Sequence, residues 1–155
     1  MKLSDNLYLK EVTKSATAIR HGIDNEPTIE HLINLKAIAN KIFQPVREKL
    51  GVPLAVTSGY RSEALNKKIG GSTTSQHCKG EALDLDADVY GKTTNAEVFY
   101  YILNHLDFDQ LIWEFGDEEN PAWVHVSYTT ERRNRGEVLV AYKYNGKTKY
   151  KKYNG

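Results

Sequence analysis

The sequence predicts a single α+β domain over residues 1–155, and three observations carry that expectation. Apolar residues recur at helical spacing in the first third of the chain, strand-like alternation takes over after Gly51, and Asn145-Gly146 separates two alternating stretches near the end. A length of 155 residues suits one ordinary domain and is short for two.

The elements follow in order. Ser4 is placed to cap a first helix through LYLKEVTKSATAIR, closed by Gly22. A longer helix starts at an N-cap on Thr28 and stops at Gly51, with Ile29, Leu32, Ile33, Ile42, Phe43, Val46 and Leu50 as its core positions. Pro45 falls inside that pattern and predicts a kink or a division. PLAVTSG then reads as a strand, SEALNKKI as a short helix and GGSTTS as a flexible loop ending at His77. In EALDLDA, Leu83 and Leu85 alternate with Ala82, Asp84 and Asp86, so Asp84 points away from the core. A third helix covers TNAEVFYYILNHL, followed by strands in DQLIWEF and WVHVSYT. In the second of these, His125 shares a face with Trp123 and Ser127. A terminal β-hairpin is expected over 137–153.

Composition narrows the function classes. With 40% hydrophobic and 26% charged residues and a formal net charge of +1, the chain has the profile of a globular protein, expected to act as a monomer, and its charge favours no particular partner. Lysines near the end read as protection of an edge strand, so no nucleic acid is expected. No apolar run approaches the roughly 20 residues of a membrane span, and MKLSDNLYLKEV lacks the apolar core of a secretory signal. As written the protein is expected to be cytoplasmic, reaching any extracellular substrate after release or export. Cys78 is the only cysteine, which rules out an internal disulfide. It directly follows His77, from which an extended chain would turn it away, and it reads as structural. His21, His31 and His105 lie in helical segments without partners at ligand spacing.

The chemistry-bearing residues begin at His77. Catalytic zinc takes three protein ligands from His, Asp, Glu or Cys and leaves a fourth position for water or substrate. His77, Asp84 and His125 fit that demand: Gly80 allows a turn between the first two, and His125 lies mid-strand, where the pleat fixes its direction. Spacing alone leaves a solvated histidine and a surface aspartate equally open.

SGYRS at Ser58 to Ser62, Asn66, GGS at Gly70 to Ser72, SQHCKGEALD at Ser75 to Asp84 and WVHVSY at Trp123 to Tyr128 resemble, in order, the signature blocks of the M15 peptidases. These are zinc D-alanyl-D-alanine carboxypeptidases and related phage endolysins. The resemblance runs from about Leu3 to about Arg133. It implies that one Zn2+ per chain is held by His77, Asp84 and His125, and that Arg61 binds or polarises the substrate. It implies helices against a small antiparallel sheet whose exposed face forms the zinc cleft. The partner it implies is a peptidoglycan stem peptide, cut by a D,D-carboxypeptidase or, as the alternative, by an endopeptidase. Ser75, Gln76, Trp123 and Ser127 are candidates for substrate contact. Asp86 either orients a histidine or faces solvent.

The catalytic base departs from the family pattern. In several relatives an acid lies three or five residues before the last histidine ligand, where this chain has Ala122 and Asn120. Glu114 is the favoured replacement, with Asp117, Glu118 and Glu119 as alternatives in a DEEN turn that otherwise reads as a solvated charge run. The missing acid keeps open a zinc-containing binding module without turnover, as in the hedgehog signalling domain.

Overall fold

The computed structural model describes residues 1–155, and it divides the expected first helix. Strands β1 (Lys2–Ser4) and β2 (Leu7–Tyr8) form a small antiparallel pair, so Ser4 is a strand residue and caps nothing. Helices α1 (Leu9–Thr13) and α2 (Ala16–His21) follow, separated where Lys14 and Ser15 turn extended. The Ser15 hydroxyl accepts the Ala18 N–H and starts α2 as a new helix, which Gly22 closes in the left-handed conformation.

Helix α3 (Ile29–Ile38) begins at Thr28, whose side chain accepts the His31 N–H. A π-helical turn over Ala39–Phe43 leads into α4 (Gln44–Leu50), which ends at Gly51. Pro45 explains the division: it has no N–H for the carbonyl four residues back and its ring crowds that turn, so the helix widens just before it. The buried stripe is Leu35, Ile38, Ala39, Ile42, Phe43 and Val46. Ile29 and Ile33, expected in the core, are 79% and 60% exposed because they fall outside that phase.

Six strands build the main sheet: β3 (Ala55–Ser58), β4 (Ala82–Asp86), β5 (Gln110–Glu114), β6 (Trp123–Ser127), β7 (Glu137–Tyr144) and β8 (Lys147–Lys152), in the order β3-β4-β6-β5-β7-β8. The sheet is mixed, which corrects the antiparallel expectation: β5 and β7 run parallel, with Ile112 beside Leu139. The chain between Ser127 and Glu137 passes over the start of β5 instead of turning back as a hairpin. Helix α5 (Glu63–Ile69) follows β3, and α6 (Asn95–His105) packs on the sheet.

Alternation divides the sheet into two faces. Leu83, Leu85, Leu111, Trp113, Val124 and Val126 face the helices in one core. Each such aliphatic side chain contributes roughly 1.5–3 kcal/mol. A slip of one residue in β4 or β6 would exchange these side chains with their neighbours, so the apolar set pins the register that directs Asp84 and His125 outward. The terminal hairpin turns at Asn145 and Gly146, both with positive φ, and joins the sheet through β7.

Candidate metal centre

The register of β4 and β6 places Asp84 directly opposite His125, and the Asp84 Oδ1 lies 3.0 Å from His125 Nδ1. His77 comes from a single 3-10 turn, Gln76–Lys79, and its Nε2 lies 3.4 Å from the same oxygen. That turn is capped by Ser75, whose hydroxyl accepts the His77 N–H, and it ends at Gly80 with φ +75°. A Cβ at Gly80 would sit 2.7 Å from the His31 carbonyl oxygen, so the close approach to α3 as well as the turn demands glycine there.

The three residues could hold a metal ion. Their ligand atoms lie within 4.8 Å of one another. Tetrahedral zinc with bonds near 2.0–2.1 Å separates its ligand atoms by about 3.3 Å, and the two separations from Asp84 fall on either side of that value. The tautomer of His77 agrees. His77 Nδ1 lies 2.7 Å from the Gly59 carbonyl, which can only accept, so Nδ1 carries the proton and Nε2 presents its lone pair to the Asp84 carboxylate. Two acceptors facing each other at 3.4 Å are satisfied by a cation between them. Burial alone would raise the Asp84 carboxyl, but where a proton takes the place of that cation, the charge of His77 and the hydrogen bonds from both imidazoles hold it well below the usual carboxylate range.

Glu114 lies on the same face of the sheet. It pairs with Trp123, while Ile112 pairs with His125, so Glu114 is the diagonal neighbour of the histidine. Diagonal pairs stand roughly 7–8 Å apart, within reach of a group held between them. The residue is only 7% exposed. Burial and, less strongly, the Asp84 charge push its carboxyl up to about 7, against the attraction of His125.

Arg61 sits across from this face, where its Nη2 donates to the Ser75 hydroxyl at 3.2 Å and its backbone N–H to the His77 carbonyl. Its buried Nε has no partner. Burial lowers the affinity of this guanidinium for its proton, and the Asp84 charge counters that.

The sequence profile of peptidase M15 matches residues 5–127. The chain belongs to the peptidase M15 family. No curated protein sequence matches it. M15 enzymes are zinc peptidases, which makes this chain a metallopeptidase by family, and His77, Asp84 and His125 form a cluster able to take the metal.

In this M15 peptidase the sheet face forms the floor of a cleft of about 900 Å³, enough for several residues of an extended peptide. Arg61, Ser75, Gln76, Glu114 and Trp123 line it together with His77, Asp84 and His125. Ser127 does not. It is fully buried, and its hydroxyl accepts the Gln110 N–H at the start of β5, so it holds two strands together and offers nothing to a substrate. Asp86 neither orients a histidine nor stands free: it accepts from Asp88 N and Asn95 Nδ2. The DEEN turn stands outside the cleft lining, with the Asp117 carboxylate holding the N–H groups of Glu119 and Asn120.

Sequence reasoning missed part of the lining: Phe115, Arg132, Arg135, Leu139, Thr148 and Tyr150. Phe115 owes its place to a positive φ of 57° just after β5, which no composition signal announces. Leu139 enters through the parallel pairing of β7, and Tyr150 and Thr148 through the hairpin that β7 carries into the sheet. No helix of the structure is long and apolar enough to cross a membrane.

Proposed function

We propose that this M15 peptidase binds one zinc ion through His77, Asp84 and His125 and hydrolyses bacterial cell-wall peptide, with removal of a terminal D-alanine as the leading reaction. The observation that carries the proposal is the cluster of three ligand atoms opening onto a cleft whose floor also bears Glu114, an acid with a carboxyl pushed up to about 7.

Zinc held in such a site supplies a Lewis acid that polarises a carbonyl and makes water acidic near pH 7. The chain's own groups do the rest. Asp84 and the two histidines hold the ion, and the Gly59 carbonyl fixes the tautomer of His77. Glu114 takes the proton from the attacking water and returns it to the leaving nitrogen, a role favoured by the burial that raises its carboxyl above the ordinary range before any metal is bound. Arg61, with an unpartnered buried Nε and a fork anchored on Ser75, donates to the oxyanion or to a substrate carboxylate. Gln76 and Trp123 contact the peptide from the walls.

Peptidoglycan endopeptidase activity is the second reading, favoured by a cleft that continues on both sides of His125, toward Arg132 at one end and Phe115 at the other. A partnerless carboxyl beside the ligands counts against the inactive binding module. Zinc-loaded protein incubated with a stem pentapeptide tests these readings by mass spectrometry. Free D-alanine is the expected product, internal fragments would replace the carboxypeptidase by the endopeptidase, and an intact peptide with zinc bound would revive the binding module.

A further inference from the structure

A cluster at one end of the same cleft has no part in the reaction above. Asp109, immediately before β5, is fully buried. Its carboxylate accepts from Arg132 Nη1 at 2.6 Å and Nη2 at 3.1 Å, and from the Arg135 backbone N–H, Nε and Nη2 at 2.8–3.2 Å. One buried carboxylate therefore holds two guanidiniums. Both remain half exposed, at 50% and 49%, and both line the cleft. Glu137 approaches Arg135 at 3.8 Å but is itself 41% exposed, so solvent weakens that pair. Arg132 Nε and Arg135 Nη1 make no hydrogen bond, and Lys79 adds a third cation to the lining.

The register locates the pair. Ile112 stands opposite His125 and Gln110 opposite Ser127, while Glu114 and Trp123 occupy the other end. Two residues along a strand span roughly 7 Å, so the guanidiniums at the Asp109 end lie about two to three residues from the ligands, away from Glu114. Held by a group that cannot move into solvent, they are preorganised for a planar anion, and guanidinium forks match carboxylates.

We propose that Arg132 and Arg135 form a second anion subsite, which takes a carboxylate carried by the substrate two or three residues from the scissile bond. This deepens the peptidase reading and rests on it. The substrate class becomes an acidic peptide with a carboxylate besides the one or the oxyanion that Arg61 serves.

Two stem peptides test the subsite, one with D-isoglutamate and one with its amide, D-isoglutamine, otherwise identical. The carboxylate form should show about tenfold higher kcat/KM, with the difference in KM. Arg132→Gln, which keeps a donor for Asp109 but no charge, should bring the ratio near two, and Arg132→Lys should leave it in between. Zinc content and melting temperature are measured beside the kinetics. Equal kcat/KM for the two peptides in the parent, or an undiminished ratio in Arg132→Gln, overturns the subsite while the peptidase stands. If neither peptide is cut, the peptidase reading fails, and equilibrium binding of both peptides to the zinc-loaded protein decides the subsite. A preference for the carboxylate that Arg132→Gln abolishes supports it, and equal or absent binding ends it.

Discussion

Asp84 and His125 face each other across neighbouring strands, and one carboxylate oxygen of Asp84 lies within 3.4 Å of a ring nitrogen from each of the two histidines. Without a metal ion His125 can turn an Nδ1–H toward the carboxylate, but a neutral His77, committed to Gly59, sets a lone pair against it, so metal binding and the local stability of β4 and β6 are coupled.

Removing the metal should therefore destabilise the fold. At free zinc 1,000-fold above its dissociation constant, binding adds about 4 kcal/mol, and for a chain of this size that is a shift on the order of 10 °C in melting temperature. Calorimetry with and without chelator measures it. His125→Ala should abolish both the stoichiometric zinc and the chelator effect, and a folded His125→Ala protein that retains one zinc would exclude the assignment.

Glu114→Gln should keep the fold and the zinc yet slow the chemical step by roughly 10²–10⁴-fold. The same substitution has a signature in the metal-free protein. The folded carboxyl titrates near 7 and the unfolded one near 4.5, so the folded state retains a proton that the unfolded chain has lost. Stability must then fall as pH rises between those values, by up to about 3 kcal/mol. Glu114→Gln should flatten that decline in urea titrations from pH 4.5 to 8, and an unchanged slope would place the proton elsewhere.

Arg61→Lys retains charge but loses the planar fork and the buried Nε. Turnover of wall peptide should drop by at least tenfold at unchanged zinc content. Identical steady-state kinetics in parent and variant would remove Arg61 from the substrate.

Asp109→Asn tests the clamp over β5. The carboxylate is fully buried and holds both arginines, which keeps its pKa well below the ordinary range despite the burial that opposes this. The loss should cost about 3 kcal/mol, seen as a lower midpoint in urea at an unchanged slope.

What the sequence could reveal depended on how local each signal was. The outward direction of Asp84 and His125 was legible because Leu83, Leu85, Val124 and Val126 alternate within each strand. Thr28, Gly51 and the Asn145-Gly146 turn announced themselves through short-range chemistry. The break between α1 and α2 was masked because helical spacing runs through Lys14, and only the Ser15 cap divides it. The clamp of Asp109 on Arg132 and Arg135 joins residues more than 20 positions apart, and without a fold ERRNR is only a basic run. The parallel pairing of β5 with β7 left no trace in either strand, since both read as alternating segments whichever way the partner runs.

That pairing has a consequence in time. The strand that carries Glu114 is flanked by β6 and β7, both of which leave the ribosome after it, and the second of them lies beyond the segment that matches the family. Until β7 arrives, β5 has an open edge. A nascent chain stalled before Glu137 holds all three metal ligands yet lacks a closed floor beneath them, so proteolytic power should emerge only once β7 and β8 have been made, as a step and not by degrees.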